Sequence, residues 1–222
     1  MTTFITKAIV MGATGLVGKK LVEQLCQLPS CQKICVIVRQ EQIAWQDHPK
    51  IEQYVLSDFL LINDEDVAGY SHAFSCLGTT LKQAGSKQHF YDIDFEINAH
   101  FADVMQMTQT HYILVSALGA NAQSRIFYNQ VKGELENYVQ SLNLYRTSIL
   151  RPSLLLGEHK EQRLLEGLTQ KIYGKVAKFI PDHFKYKPIS AEQVAHTMVE
   201  AGQTQTADFQ IYDNLQIQQA TF

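Results

Sequence analysis

A tyrosine and a lysine four residues apart, Tyr128 and Lys132, are the first side chains in this sequence that could do chemistry together. Residues at this spacing share one face of a helix, so both could reach the same ligand. A nearby ammonium favours loss of the phenol proton, which would ease proton exchange between Tyr128 and a substrate oxygen. The spacing is common, and its meaning depends on where the fold places it.

Ser116 ends an apolar stretch shortly before this pair. Its hydroxyl could orient a substrate carbonyl so that Tyr128 protonates the oxygen as a hydride arrives. Alternatively, a serine at the end of a strand caps its own turn. Together with Tyr128 and Lys132, the pattern predicts a catalytic role for Ser116.

A glycine-rich turn, Gly12-Ala-Thr-Gly15-Leu-Val-Gly18, lies between the first predicted strand and the first predicted helix. Glycines permit the tight turn, the approach of the backbone to a pyrophosphate, and close packing of the helix on the strand. The helix N-terminus offers unpaired N–H groups and a favourable dipole to that anion. A purely structural turn is the alternative. The strand–turn–helix context predicts a dinucleotide site, in which Lys132 could bond the nicotinamide ribose.

The residue at the end of the second strand distinguishes the two nicotinamide dinucleotides. An acidic residue there would bind the ribose hydroxyls of NAD, but this chain has Arg39. A guanidinium suits a 2′-phosphate, which predicts NADP, although a solvated surface arginine is the alternative. Asp58, just beyond the third strand, is either a neighbour of the adenine edge or a helix cap.

The elements that would position these groups alternate between apolar strands and helices. Strands are predicted at 4–11, 34–38, 51–56, 72–77, 112–116, 145–150 and 209–212, and helices at 16–28, within 87–108 and at 127–142. Near-continuous apolar strands between helices indicate an α/β fold with a parallel sheet covered on both faces. Right-handed crossovers then restrict the topology to a doubly wound, Rossmann-type sheet.

The pattern is less regular after Arg151 and Pro152. Residues 158–179 could form one or two helices, and Ser190 begins a capping box for a helix to about Ala201. We therefore predict a single NAD(P)-binding domain over residues 1–222, in which 152–205 form a small C-terminal cap on the substrate side.

Composition limits the function further. The chain has 222 residues, 45% of them hydrophobic, and 19 basic residues against 22 acidic ones. Its size suffices for one large core, and a formal charge of −3 disfavours a nucleic-acid partner. We see no secretory signal and no apolar run of the ~20 residues that a membrane span needs. The four cysteines lack metal-ligand spacing, so we expect no metal and a reducing, cytoplasmic location.

Several longer stretches resemble a known family. They are CLGTT at 76–80, VSALGA at 115–120, YNQVKGELE at 128–136 and ILRPSLLLG at 149–157. Over about residues 5–200, the chain resembles the atypical short-chain dehydrogenases/reductases. Within them it is similar to the small group related to the human Tat-interacting protein of 30 kDa. Bacterial members of this group are often labelled nucleoside-diphosphate-sugar epimerases.

The resemblance implies roles for particular residues. The glycine turn would hold the pyrophosphate, Arg39 would lie near the 2′-phosphate, and two further segments would line the cofactor cleft and pass near the nicotinamide. These residues are Gly12, Thr14, Gly15, Leu16, Val17 and Gly18 in the turn, Leu77, Gly78 and Thr79 in the cleft, and Pro152, Ser153 and Leu154 near the nicotinamide. Relatives often carry two adjacent serines where this chain has Ser116 and Ala117. The likeness also implies that helices beside the fourth and fifth strands could pair two copies into a homodimer.

Three functions are compatible with these features. The leading hypothesis is an NADP-dependent oxidoreductase that transfers hydride to or from a small carbonyl or alcohol substrate, with Tyr128 as the acid/base. The second is a non-catalytic NADPH-binding regulator or assembly protein with a protein partner, because a fold does not fix a function. The third is a nucleoside-diphosphate-sugar epimerase, although such enzymes usually carry a larger C-terminal substrate domain than this chain allows.

Overall fold

A parallel sheet of seven strands forms the centre of the computed structural model, which describes residues 4–156 and 184–220. The main sheet contains β1 (Lys7–Met11), β2 (Lys33–Val38), β3 (Ile51–Val55), β4 (His72–Ser75), β5 (His111–Val115), β6 (Arg146–Leu150) and β9 (Phe209–Tyr212), and a small second sheet pairs β7 (Leu155–Leu156) with β8 (Ile189–Ser190). The strand order is β3-β2-β1-β4-β5-β6-β9, and every neighbouring pair is parallel. The order reverses between β1 and β4, where sheets of this kind open a crevice for ligands. The predicted doubly wound sheet is confirmed.

Helices cover both faces of the sheet. They are α1 (Leu16–Gln27), α2 (Asp64–Val67), α3 (Leu81–Ala84), α4 (Lys87–Tyr91), α5 (Ile97–Asp103), α6 (Phe127–Ser141), α7 (Ala191–Thr204) and α8 (Asn214–Gln219). Short 3₁₀ turns lie at Ile43–Trp45 and Phe59–Leu61. The helical region predicted within 87–108 is interrupted, since a π-helical segment, Asp92–Glu96, joins α4 to α5.

Alternate side chains of the central strands enter two different hydrophobic cores. Ala8 and Val10 of β1 belong to the core that packs against α1 and α7. Ile9 and Met11 belong to the core that packs against α5 and α6. Because both faces of the strand are buried, the sequence is apolar at nearly every position instead of alternating with polar residues.

The C-terminal part of the chain completes the same architecture. Ser190 and Gln193 form the predicted capping box at the start of α7, whose apolar face packs against α1. The strand β9 then joins the edge of the main sheet beside β6. Within the predicted extension at 152–205, residues 157–183, including the helices expected at 158–179, lie outside the described residues.

The four cysteines pack in or against the two hydrophobic cores. The four are free thiols, and burial raises the pKa of Cys35 to about 11 and that of Cys76 further above its ordinary value. Both are therefore protonated and unreactive at neutral pH. Among residues 4–156 and 184–220, no cluster of three or more His, Cys, Asp or Glu could hold a metal ion. None of the helices in these ranges is long and apolar enough to cross a membrane.

Two buried histidines meet at the amino edge of the sheet. His72 of β4 lies in register with His111 of β5, and their ring centroids are 5.4 Å apart. His72 Nε2 lies 2.9 Å from the carbonyl oxygen of Gly202, which can only accept, so this nitrogen carries the proton. His111 Nε2 lies 2.7 Å from Ser148 Oγ, whose own proton is donated to Gln205. As neutral rings, both histidines have a partner at Nε2, while the buried Nδ1 of His111 has none among the described residues.

Acidification is therefore expected to destabilise the fold. Burial lowers the pKa of His72 from 6.5 to about 4, and burial, with His72 and Arg146, lowers that of His111 to about 2. Below pH 6.5 the unfolded chain binds protons that the folded chain does not, so the free energy of unfolding falls as the pH drops. Each histidine adds a slope of up to about 1.4 kcal/mol per pH unit. Urea unfolding at pH 7, 6 and 5 measures this slope.

His72→Gln should reduce that slope, because one of the two groups that bind protons on unfolding is gone. His89→Gln, which changes an exposed histidine, is the matched control and should leave the slope unchanged. An undiminished slope in the His72→Gln protein would contradict the assignment.

Candidate functional site

The turn between β1 and α1 has two positions that a side chain could not occupy. Gly12 has φ of +75°, and a Cβ there would lie 2.5 Å from the backbone nitrogen of Leu77. A Cβ at Gly18 would lie 2.2 Å from the carbonyl oxygen of Gly12. That carbonyl also accepts a hydrogen bond of 3.0 Å from the N–H of Gly15. The two bare positions let β1 turn sharply beside the loop after β4 and let α1 pack directly on the turn.

The N-terminus of α1 is well suited to an anion. Gly15 occupies the N-cap position and provides no side-chain cap, and the first helical turn contains no acidic residue. Backbone N–H groups of this turn, which begins with Leu16 and Val17, have no intrahelical acceptor. They point, with the positive end of the helix dipole, towards the space in front of the turn.

A cavity of about 400 Å³ lies beside this turn, at the carboxyl ends of β1, β2 and β4. Six residues that the sequence suggested for cofactor binding line it: Gly12, Thr14, Arg39, Leu77, Gly78 and Thr79. Its other lining residues are Ile37, Val38, Gln40, Gln42, Phe59 and Ile93. The cavity therefore brings together the glycine turn, the end of the second strand and the loop after the fourth strand.

Arg39 lies at the exposed edge of this cavity. Its guanidinium carbon is 5.4 Å from the centroid of the Phe59 ring, a favourable position for a cation over an aromatic face. None of the described residues that line the cavity is acidic. A negatively charged group at this edge would therefore meet a positive field.

Other predicted cofactor residues are used differently. Asp58 does not line the cavity, and its carboxylate accepts a hydrogen bond of 3.0 Å from the N–H of Leu60, which caps the 3₁₀ turn. Residues 152–154 do not line it either. The Ser153 hydroxyl donates to the carbonyl of Lys187, and its N–H donates to Asn214 at 2.8 Å. Ser153 thus joins the end of β6 to the C-terminal part of the chain.

Ser116 follows β5 directly and carries an unsatisfied hydroxyl. The residue is 5% exposed, and its Oγ has no hydrogen-bond partner among residues 4–156 and 184–220. Its backbone N–H donates to the carbonyl of Leu150 at 2.8 Å. A buried hydroxyl without a partner is costly, so a ligand oxygen that accepts its hydrogen bond would be favoured.

Tyr128 and Lys132 occupy consecutive turns of α6, as the spacing predicted. Tyr128 is half-buried, with its ring centroid 5.6 Å from that of Phe90. Lys132 is almost fully buried, and its Nζ lies 2.7 Å from Oδ1 of Asp94, a carboxylate with no exposed surface. Burial opposes the charged form of Lys132, but the carboxylate of Asp94, with smaller contributions from Tyr128 and Glu136, raises its pKa above the ordinary value.

The sequence did not single out Asp94, which lies in the π-helical segment. Its second oxygen, Oδ2, accepts a hydrogen bond of 2.9 Å from the backbone N–H of Thr79 in the cavity lining. Asn98 supports the segment by donating its amide to the carbonyls of Ile93 at 3.0 Å and Asp94 at 3.3 Å. Ser75, at the end of β4, donates to the amide oxygen of Asn98 at 2.5 Å. The amide of Asn98 is therefore a structural support and does not face the cavity.

Glu136 follows Lys132 by one helical turn and pairs with a different cation. Both of its oxygens accept from the Nε of Arg151 at 3.1 Å, and Nη2 of Arg151 lies 2.5 Å from Oε2. This hydrogen-bonded contact raises the pKa of Arg151. Glu136 therefore neutralises Arg151, at the start of the segment after β6.

The fold is of a known class: the chain has the Rossmann-type α/β fold of the short-chain dehydrogenases/reductases. Among solved structures, a short-chain dehydrogenase/reductase family oxidoreductase from Burkholderia thailandensis superposes with a TM-score of 0.70 at 15% identity, over 97% of this chain and 94% of that one. The enzyme WbmF of Bordetella bronchiseptica, in complex with NADH, gives 0.67 at 17% identity, over 94% and 71%. The human epimerase family protein SDR39U1, with NADPH, gives 0.62 at 12% identity, over 94% and 74%. The predicted resemblance of the fold to this class is confirmed.

Sequence relatives identify the family more narrowly. The mitochondrial protein FMP52-1 of Scheffersomyces stipitis is 35% identical over 201 residues, which cover 88% of this chain and 88% of the relative. The mitochondrial protein FMP52 of Candida albicans is 33% identical over 208 residues, which cover 91% and 88%. The chain belongs to the FMP52 family. No protein-family model matches it.

These relatives correct one expectation. The absence of a targeting signal and the cysteine usage predicted a cytoplasmic protein, but the FMP52 relatives are named as mitochondrial proteins. The prediction of a cytoplasmic location is therefore wrong. Free cysteines are compatible with any reducing compartment and do not distinguish one from another.

Gly18→Ala tests the role of the turn. The added Cβ would lie 2.2 Å from the Gly12 carbonyl oxygen, so α1 must move away from β1 and the free N–H groups must move with it. We expect a loss of stability of several kcal/mol, although an unobstructed Gly→Ala change within a helix stabilises a protein by about 0.5–1 kcal/mol, together with loss of nucleotide binding. Thermal unfolding and calorimetric titration with NADPH measure the two effects.

Gly69→Ala is the control for that substitution. Gly69 has φ of +77°, but a Cβ there meets nothing within 4 Å, so only local backbone strain of about 1–2 kcal/mol is expected. Equal effects of the two substitutions on nucleotide binding would argue against the packing role of Gly18.

Proposed function

We propose that the chain is an NADP-dependent oxidoreductase that reduces a small carbonyl compound or oxidises the corresponding alcohol. The position of the Lys132 ammonium is the observation that carries this proposal. A Cβ built on Gly78, which lines the cavity, would lie 3.6 Å from Nζ of Lys132. The helix that carries Tyr128 is therefore held directly against the loop that borders the candidate cofactor cavity.

The lining of the cavity supports a nicotinamide dinucleotide phosphate as the proposed cofactor. The N-terminus of α1 offers backbone N–H groups to a pyrophosphate, and the missing side chain at Gly12 lets the turn lie directly against the backbone of the loop after β4. Two solved structures of the same fold contain NADH and NADPH, respectively, which supports a nicotinamide cofactor. The exposed guanidinium of Arg39, with no acidic residue in the described lining, favours the form with a 2′-phosphate.

The residues of the chain would act on the substrate oxygen. A bound NADPH supplies a hydride to the carbonyl carbon. Tyr128 would donate its phenol proton to the oxygen, so that one hydride and one proton convert the carbonyl into an alcohol. The unsatisfied hydroxyl of Ser116 would donate a hydrogen bond to the same oxygen and fix its direction. Lys132 would keep a positive charge beside the phenol and bind the ribose hydroxyls.

Nucleotide preference tests the cofactor assignment. In calorimetric titration, nucleotide-free protein should bind NADPH more tightly than NADH. Arg39→Gln should weaken NADPH binding by about 10- to 100-fold, because a charge-assisted hydrogen bond to phosphate contributes about 1.5–3 kcal/mol.

NADH serves as the internal control for Arg39→Gln, since it lacks the 2′-phosphate and its affinity should not change. A preference of the unaltered protein for NADH would overturn the role of Arg39. Binding of neither nucleotide would overturn the proposed function.

Tyr128→Phe tests the chemistry. The variant keeps the ring against Phe90 but loses the transferable proton, so turnover on a carbonyl panel should fall by about 10²-fold or more while NADPH affinity stays within about twofold. The measurement is NADPH oxidation followed at 340 nm.

Tyr145→Phe, at a half-exposed tyrosine next to β6, is the matched control and should retain full turnover. Full activity of the Tyr128→Phe protein would rule out Tyr128 as the acid. NADPH binding without turnover on any substrate would favour a non-catalytic NADPH-binding regulator.

A further inference from the structure

The Asp94 carboxylate is a buried charge that the proposed mechanism does not use. It has no exposed surface, and it contacts the one catalytic candidate that carries a charge, Lys132, at 2.7 Å. A buried carboxylate is costly unless it is paired, so its presence here calls for a reason.

We propose that Asp94 is a positioning residue, which holds the Lys132 ammonium in its charged form and in place against the loop that lines the cofactor cavity. The inference rests on the proposed function, because it assigns a role within the same site. Asp94 would not touch the substrate or the nucleotide. It would act through Lys132.

The two oxygens of the carboxylate have two separate tasks. Oδ1 faces the ammonium of Lys132 on α6, and Oδ2 accepts the backbone N–H of Thr79 in the loop after β4. A Cβ on Gly78 would lie 3.3 Å from Oδ1, so the loop passes directly over the ion pair. A single side chain thereby fixes the distance between the catalytic helix and the loop that borders the cofactor.

The other groups around Lys132 cannot replace this carboxylate. Burial is the largest influence on Lys132 and opposes its charge, and the charged or titratable neighbours that offset it are Asp94, Tyr128 and Glu136. Glu136 is already paired with Arg151 through both oxygens. Without Asp94, burial would therefore dominate and Lys132 would lose its proton more readily.

The π-helical segment fixes the direction of Asp94. The Asn98 amide donates to the carbonyls of Ile93 and Asp94, and the Asn98 amide oxygen accepts from Ser75 at the end of β4. These contacts tie the segment to the sheet beside the switch in strand order. Such segments occur often at functional sites, because the added residue redirects one side chain without ending the helix.

Asp94→Asn removes the negative charge and keeps the shape. Its first test is NMR titration of ¹⁵N-labelled lysine side chains in the nucleotide-free protein, with Lys132→Met used to assign the signal. In the unaltered protein Lys132 should stay charged through pH 10. In the variant its titration midpoint should move down by about 1 to 3 pH units, as expected when a close opposite charge is lost.

The second test is a double-mutant cycle on NADPH affinity, measured by fluorescence titration from pH 6 to 10. Asp94→Asn alone should weaken binding about tenfold at high pH and less at low pH, where Lys132 regains its proton. In the Lys132→Met background the same change should have no further effect. Asp92→Asn, which alters a partly exposed acid in the same segment, is the control and should behave like the unaltered protein.

Folding of the variants also distinguishes a role of Asp94 that acts through Lys132 from a purely structural role. If Asp94→Asn alone fails to fold, the double variant Asp94→Asn/Lys132→Met should fold again, since it leaves no lone buried charge. An unshifted Lys132 titration would overturn the inference. So would an equal effect of Asp94→Asn in both backgrounds, or failure of the double variant to fold when Lys132→Met folds.

The titration and the folding comparison need no nucleotide and no substrate. They therefore decide the role of Asp94 even if a carbonyl panel shows no turnover, a result that would count against the proposed function alone.

Discussion

The buried ion pair between Lys132 and Asp94 is the contact on which the arrangement of the site depends. It joins three elements that are distant in sequence: α6, the π-helical segment between α4 and α5, and the loop after β4. In a low-dielectric interior neither charge is tolerated without the other, so the two side chains restrict each other's position. The helix that carries Tyr128 is consequently fixed relative to the cavity beside the glycine turn.

Most of the sheet could be predicted from the sequence, because burial on both faces leaves a simple signal. In β1, neighbours such as Ile9 and Val10 enter opposite cores, which makes the whole strand apolar. The glycine turn was equally readable, since the close contacts at Gly12 and Gly18 exclude any other residue. The helical region after residue 87 was harder to predict. Its π-helical turn depends on hydrogen bonds from the Asn98 amide to the carbonyls of Ile93 and Asp94, and these bonds depend on the tertiary structure.

Asp94 was missed although the sequence contains a signal for it. The stretch Asp92-Ile-Asp-Phe-Glu96 has a polar residue at every second position, which suggests a solvated surface. Asp94, however, follows Phe90 by four residues and precedes Phe101 by seven, and both aromatics are fully buried. That spacing places the carboxylate on the apolar face of the helical region. An acid on such a face needs a cation, and Lys132 is a nearly buried cation on the neighbouring helix.

Buried titratable groups at the two edges of the sheet are accommodated in opposite charge states. At the carboxyl edge, Lys132 keeps its charge because Asp94 compensates for burial, and its pKa is raised. At the amino edge, burial lowers the pKa of His72 and of His111, so both rings are neutral. As the pH falls, Lys132 stays protonated, whereas the tendency of the two histidines to bind protons lowers the free energy of unfolding. The acid limit of any activity should therefore be set by the stability of the fold at the amino edge, and not by the protonation of Lys132.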